Sequence, residues 1–265
     1  MPRFRGIITT RPVLRAGGAC VSLAALAAAA LALPVTAGAA PTVTMTAKAV
    51  PIKGYPHTGN ILGAGAALQS RFTITGTEYG GFPPPLVGVK FYGPKGAKLH
   101  SQGFATCSPA TLEQRGPAGC SKKSAAGPKG SASGVVSFGT ERVHETVSVQ
   151  PFFAPGGGLS FFVDGTTPVS IEILSTGKVV SSSPPFGPTL IAQVPLIETV
   201  PGALDASAQE INVTVGAAYK QGKKKVYYIT VPKQCPKGGF PLKAELSFFG
   251  GAVSTASYKA PCPKR

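Results

Sequence analysis

The sequence predicts an all-β protein: an antiparallel β-sandwich of about a dozen strands with at most one or two short helices. Three observations carry this. Apolar and polar residues alternate along many short runs. Glycine (34) and proline (26) fall between those runs as punctuation. Helical periodicity is scarce, while valine, isoleucine, threonine and phenylalanine recur at a level that a disordered chain lacks.

Residues 1–39 stand apart from this pattern. Arg3, Arg5, Arg11 and Arg15 precede a small-apolar run over 16–33, which Pro34 breaks ahead of Ala37-Gly38-Ala39. Positive, apolar, helix breaker, small residues is the order of a secretory signal peptide. A cut after Ala39 places Ala37 and Ala39 where small side chains are needed and starts the mature chain at Ala40. The rival is an uncleaved anchor, since the run is near the lower limit for a membrane span, but alanine drives insertion weakly. Cys20 lies near the start of the run, not at its end as in a lipoprotein. Removing the leader takes four arginines and no acid, leaving 22 basic and 10 acidic residues, a formal +12 against +16 for the whole chain. Residues 40–265 are then one β-sandwich-like domain, or two subdomains divided near 121–134 or 181–188.

The strands follow in order. Val43, Met45 and Ala47 share a face, as do Leu68, Phe72 and Ile74. Val87, Val89 and Phe91 follow the proline run 83–85. Val135, Val136 and Phe138 form a short strand. Val143, Glu145, Val147 and Val149 alternate with Arg142, His144, Thr146 and Ser148. That strand turns at Pro155-Gly156-Gly157-Gly158 and returns over 159–163 as a hairpin. Val169, Ile171 and Ile173 come next. The run 190–197 is interrupted by Pro195, which suits an edge or a bulge. Ile211, Val213 and Val215 lead to a turn at Gln221-Gly222, from which Tyr227, Ile229 and Val231 return. Leu242, Ala244, Leu246 and Phe248 precede Gly250-Gly251 and a last strand over 253–258. Helical signal is confined to 108–114, with Ser108 as cap and Pro109 at the first helical position, and to a weaker candidate over 204–209.

Export decides the chemistry of the cysteines. Beyond the leader they are Cys107, Cys120, Cys235 and Cys262. An even count in an oxidising compartment reads as two disulfides. Of three connectivities, sequence proximity favours Cys107–Cys120 and Cys235–Cys262, each worth on the order of 3 to 4 kcal/mol by loop entropy. A zinc site needs cysteines two to four residues apart, and these are far wider, so no metal or other cofactor is assigned.

No catalytic signature is present, and no catalytic residue is assigned. His57, His100 and His144 show no ligand spacing and read as solvated. Gly130-Ser131-Ala132-Ser133-Gly134 has alanine where a nucleophile elbow needs serine. Two carboxylates meeting only in the fold are not excluded. Lys220, Lys223, Lys224 and Lys225 sit on a predicted hairpin tip, with Lys122, Lys123 and Lys129 in another loop. They read as a solvated tip, or as a contact for an anionic cell-wall polymer or membrane surface. The compartment and the lack of a recognition motif argue against nucleic acid. The phenylalanine pairs at 152–153, 161–162 and 248–249 are read mostly as core.

Phe104-x-x-Cys107, Leu112, Gly119-Cys120-Ser121-x-x-Ser124 and Gly127 resemble a group of uncharacterised exported proteins of high-GC actinobacteria. The run Val231-Pro232-x-x-Cys235-Pro236-x-Gly238-Gly239 and the pair Cys262-Pro263 continue the likeness. Ser121 stands where the group has proline. The resemblance implies an exported β-rich protein with paired-cysteine loops and transfers no catalytic residue. The expectation is therefore a secreted, disulfide-stabilised, non-catalytic protein that binds or structures something at the cell surface. The alternative is a secreted hydrolase whose acids, or a Ser–His pair, converge only in the fold.

Overall fold

Period-two burial governs the strands. In β1 (Thr42–Val50) Val43, Met45 and Ala47 are buried while Thr42, Thr44 and Thr46 are exposed. In β14 (Phe240–Phe248) every second residue from Phe240 to Phe248 is buried. A strand whose apolar residues recur every two positions can hide them only by lying face-down on a core. The computed structural model describes residues 40–55, 61–138, 141–197 and 205–262. Residues 1–39, the expected leader, and His57 lie outside the described residues. From Ala37 on, the chain is one compact unit.

The remaining elements are β2 (Gly65–Thr75), β3 (Leu86–Pro94), β4 (Lys98–Leu99), α1 (Pro109–Arg115), β5 (Gly130–Phe138), β6 (Glu141–Phe153), β7 (Leu159–Gly165), β8 (Ile171–Ser181), β9 (Phe186–Gln193), β10 (Ser207–Val215), β11 (Ala218–Gln221), β12 (Lys224–Tyr227), β13 (Ile229–Thr230) and β15 (Val253–Ala260). The all-β class and the single short helix stand as predicted. One antiparallel sheet runs β15-β14-β3-β9-β8-β7-β6-β5-β10-β2, with β1 pairing to β2 and β13 and β4 continuing from it. The sheet curls until its two ends meet. β1 lies beside β15, and Ser254 Oγ donates to the Pro41 carbonyl across the seam. The two layers of the sandwich are thus opposing walls of one sheet. Side chains of β1, β2, β3, β14 and β15 form the main core between them.

On β1 and β2 the exposed face is mostly threonine with lysine, glutamine and arginine, and the buried face is mostly aliphatic and aromatic. That polarity is the reverse of a membrane-spanning barrel, which is apolar outside. Among the described residues no helix is long and apolar enough to cross a membrane.

Strand register sorts the connections onto two rims. The links 51–64, 95–129 and 216–239 all leave from one rim, where β1 ends, β2 begins, β3 ends and β14 begins. The opposite rim carries the shorter links 76–85, 166–170 and 249–252.

Four local expectations are corrected. The run 190–197 is no edge strand: β9 starts earlier, pairs with both β3 and β8, and ends at Gln193, so Pro195 interrupts no ladder bond. The segment 121–134 is no linker. It holds a short 3-10 turn over Lys122–Ser124, and its last residues open β5, a central strand. Its glycines are small because β10 passes close: a Cβ on Gly130 would meet the Asn212 carbonyl at 2.2 Å, and one on Gly134 the Ser207 carbonyl at 2.1 Å. A tightly packed strand thereby imitates the composition of a linker. The candidate helix near 204–209 is strand from Ser207 onward. Finally, β10 does not fold back at Gln221-Gly222. It pairs with β5 and β2, and the turn joins β11 to β12 in a separate two-stranded sheet. Within segment 181–188, residues 182–185 form the hairpin connection of β8 and β9 in the main sheet, and Ser181 pairs with Pro188.

Candidate functional site

The cysteines pair as proximity suggests. Cys107 and Cys120 lie 5.6 Å apart at Cα and bracket α1. Cys235 and Cys262 lie 6.1 Å apart and tie the two ends of the β14–β15 hairpin. Both bonds belong to the rim of long links. There Ser108 Oγ accepts from Thr111 N–H at 3.1 Å and caps α1. Leu112, fully buried, packs with Cys107, Phe152 and Phe162 on the outer face of the sheet.

The same rim is strongly basic. Lys220, Lys223, Lys224 and Lys225 are exposed at the β11–β12 tip, where Gly222 takes a φ of 59°. Lys95, Lys98, Lys122, Lys123, Lys129, Lys233 and Lys237 are exposed in the neighbouring links, whose one acid is Glu113. The other rim gathers the acids Glu78, Glu141, Asp164, Glu172 and Asp205, with Arg142 held over the rings of Tyr79 and Phe82 at 5.5 Å each. The large exposed apolar side chains, Leu196, Phe249 and Val253, also sit there. His100 is exposed on the basic side. His144 is exposed near the acidic rim, with its ring against Phe82. Among the described residues no cluster of three or more His, Cys, Asp or Glu could hold a metal.

Sequence reasoning missed the interior. The curled sheet encloses a cavity of about 340 Å³. Its lining runs from Leu99, Tyr228 and Val231 at the basic rim, past Phe91, Phe161 and Val147, to Leu196 and Asp205 at the acidic rim. Exposed Leu196 belongs to that lining, so the space reaches the surface at the acidic rim. In a chain with a formal +16, no lysine, arginine or histidine lines it among the described residues, and the charged lining residues among them are Glu145 and Asp205.

Two buried polar groups face this setting. Tyr228 is 1 % exposed, packs against Phe153 (ring centroids 4.7 Å apart), and its hydroxyl has no partner; burial pushes its pKa up to about 12. Glu145 is 4 % exposed. Its Oε2 accepts from Val169 N–H at 3.1 Å, and its Oε1 has no partner. The signal for Glu145 was visible: a carboxylate stands in phase with Val143, Val147 and Val149. The cavity itself left no sequence signal, because apolar residues facing a void and apolar residues facing a core have the same pattern.

Among known proteins, no family model, no curated protein and no solved structure matches this chain.

Proposed function

We propose that this is an exported, non-catalytic binding protein that holds an apolar chain inside its curled sheet and turns its lysine-rich rim toward an anionic surface outside the cell. The leader, the two disulfides and the actinobacterial resemblance support export. The observation that carries the reading is the cavity. At about 24 cal/mol per Å³, leaving 340 Å³ of apolar space empty costs on the order of 8 kcal/mol. That is comparable to the whole stability of a typical domain. An apolar occupant offsets this cost, and the volume lies in the range of small-molecule sites. It is more than twice the ~150 Å³ engineered cavity that stays dry and takes up benzene. The wall strands are up to 13 residues long, so the space suits an extended chain better than a compact ring.

Titrating delipidated protein with N-phenyl-1-naphthylamine, a neutral fluorophore, tests the reading. The expected result is saturable binding that Ala192→Phe, which fills the cavity from its wall, weakens tenfold or more. Absence of saturable binding, or equal binding by Ala192→Phe, overturns it. For the lysine rim, the protein should sediment with anionic vesicles at low salt and release as salt rises. Replacing Lys220, Lys223, Lys224 and Lys225 by serine should shift that release to lower salt. Retention indifferent to salt would remove the electrostatic half of the proposal.

A further inference from the structure

We propose that Glu145 selects the ligand's head: the cavity takes amphiphiles whose polar end donates hydrogen bonds and carries no negative charge, such as alkyl amines and alkyl alcohols, and disfavours alkyl carboxylates. This rests on the apolar-chain reading above and adds a head-group rule to it.

Glu145 is built into the wall, not stranded on it. It sits on the inner face of β6 near the acidic rim, with one oxygen held by the Val169 N–H and the other unpartnered. A buried carboxylate normally accepts several hydrogen bonds, and one left with a free oxygen is an exception that demands a reason. Glycines flank it on both sides. Gly134 is its register partner on β5, and Gly165 follows the end of the paired stretch of β7. A Cβ on Gly165 would come within 3.0 Å of the unpartnered Oε1 and 2.5 Å of Val147. The missing side chain therefore keeps the approach to that oxygen clear.

What surrounds the carboxylate sets the sign. Among the described residues the cavity lining holds one other charged side chain, Asp205, also an acid. The nearest cation in sequence, Arg142, is on the opposite face and engages Tyr79 and Phe82. A ligand carboxylate placed beside the unpartnered oxygen of Glu145 meets like charge in a poorly solvated space. An ammonium or hydroxyl head meets an acceptor that lacks a donor. The polarity also places the ligand: head at the acidic rim, tail toward Tyr228.

The test is competition against bound N-phenyl-1-naphthylamine by three amphiphiles of one chain length, dodecylamine, dodecanol and dodecanoate, each below its aggregation concentration. Dodecylamine and dodecanol should displace the probe at concentrations about tenfold or more below dodecanoate. A hydrogen bond to a charged group typically makes a difference of that size. Non-specific attraction works the other way, because the protein's net positive charge favours the anion. In Glu145→Gln, with each competitor measured against the variant's own probe affinity, the gap should close to within about threefold. Should that variant fail to fold, a native mass spectrum of wild-type protein with an equimolar mixture reads the same preference. Probe bound but displaced equally by all three overturns the head-group rule and leaves the cavity reading standing. A preference that survives Glu145→Gln overturns the assignment to Glu145. No probe binding overturns both.

Discussion

The two rims of the curled sheet are built on opposite plans. The basic rim carries the helix, both disulfides and the buried Tyr228. The acidic rim carries the exposed apolar side chains and the unpartnered carboxylate. The difference shows where each kind of cost is placed. Cross-links and a cluster of buried aromatics hold the basic end, and the unpartnered oxygen of Glu145 lies toward the end where the cavity lining includes exposed Leu196.

The sharpest way to break this comparison is to cut the cross-links. Cys107→Ser with Cys120→Ser, or Cys235→Ser with Cys262→Ser, should each lower stability by roughly 3 kcal/mol in denaturant unfolding, because the closed loops span 13 and 27 residues. Leu196→Ser or Phe249→Ser at the other rim should stay within about 0.5 kcal/mol. Equal losses at both rims would show that stability is not concentrated at the basic end.

Tyr228 offers a second separation. Its folded pKa is raised, to about 12 from the ordinary 10.0, so the folded state holds the phenol proton more tightly than the unfolded chain does. That contribution is fully present below pH 10 and is lost as pH rises from 10 through about 12, roughly 2–3 kcal/mol in all. The difference in unfolding free energy between wild type and Tyr228→Phe should therefore change over this window, with Tyr228→Phe the less alkali-sensitive. Near neutral pH the variant should be as stable as wild type or more so, since it deletes an unpartnered buried hydroxyl. A variant that tracks wild type across the window would place the hydroxyl in contact with water.

How much of this was legible in the sequence depended on range. Alternation in 43–47, 143–149 and 240–248 is local, and it gave faces correctly because a pleated strand enforces period two. Ser108-Pro109 marked the helix start, since capping is settled within one turn. Strand order was not legible. β3 pairs with β9 and β14, and β2 with β10, each across more than 90 residues. Gly130 and Gly134 misled for the same reason, because the carbonyls that require them belong to β10. The lysine tip was read in the right place, but the sorting of acids to one rim and lysines to the other is a product of register and has no counterpart in linear order.

The helix cap sharpens the contrast further. Ser108→Ala should cost about 1 kcal/mol, and the cost should change when the Cys107–Cys120 bond is absent. The cap and the cross-link restrain the same seven-residue helix, so their contributions are coupled. A double-mutant cycle in unfolding measures that coupling. Strict additivity would mean that α1 is held by Leu112 alone.

The smallest effect belongs to neither rim and serves as the reference for both. On the outer wall, Lys243 Nζ lies 2.7 Å from Glu245 Oε1, and the Tyr92 hydroxyl donates to Oε2 at 2.9 Å. The Lys243 hydrogen bond holds the Glu245 carboxyl below its ordinary value of 4.5, although partial burial opposes the shift. A depressed folded pKa means the stabilisation is present above the unfolded value and is lost as pH falls through the lower folded one. Between pH 6 and pH 3, wild type should thus lose more stability than Glu245→Gln, by less than about 1 kcal/mol, because the pair is partly exposed and screened. A larger loss would make the wall, and not the disulfide rim, the electrostatic weak point of the fold in acid.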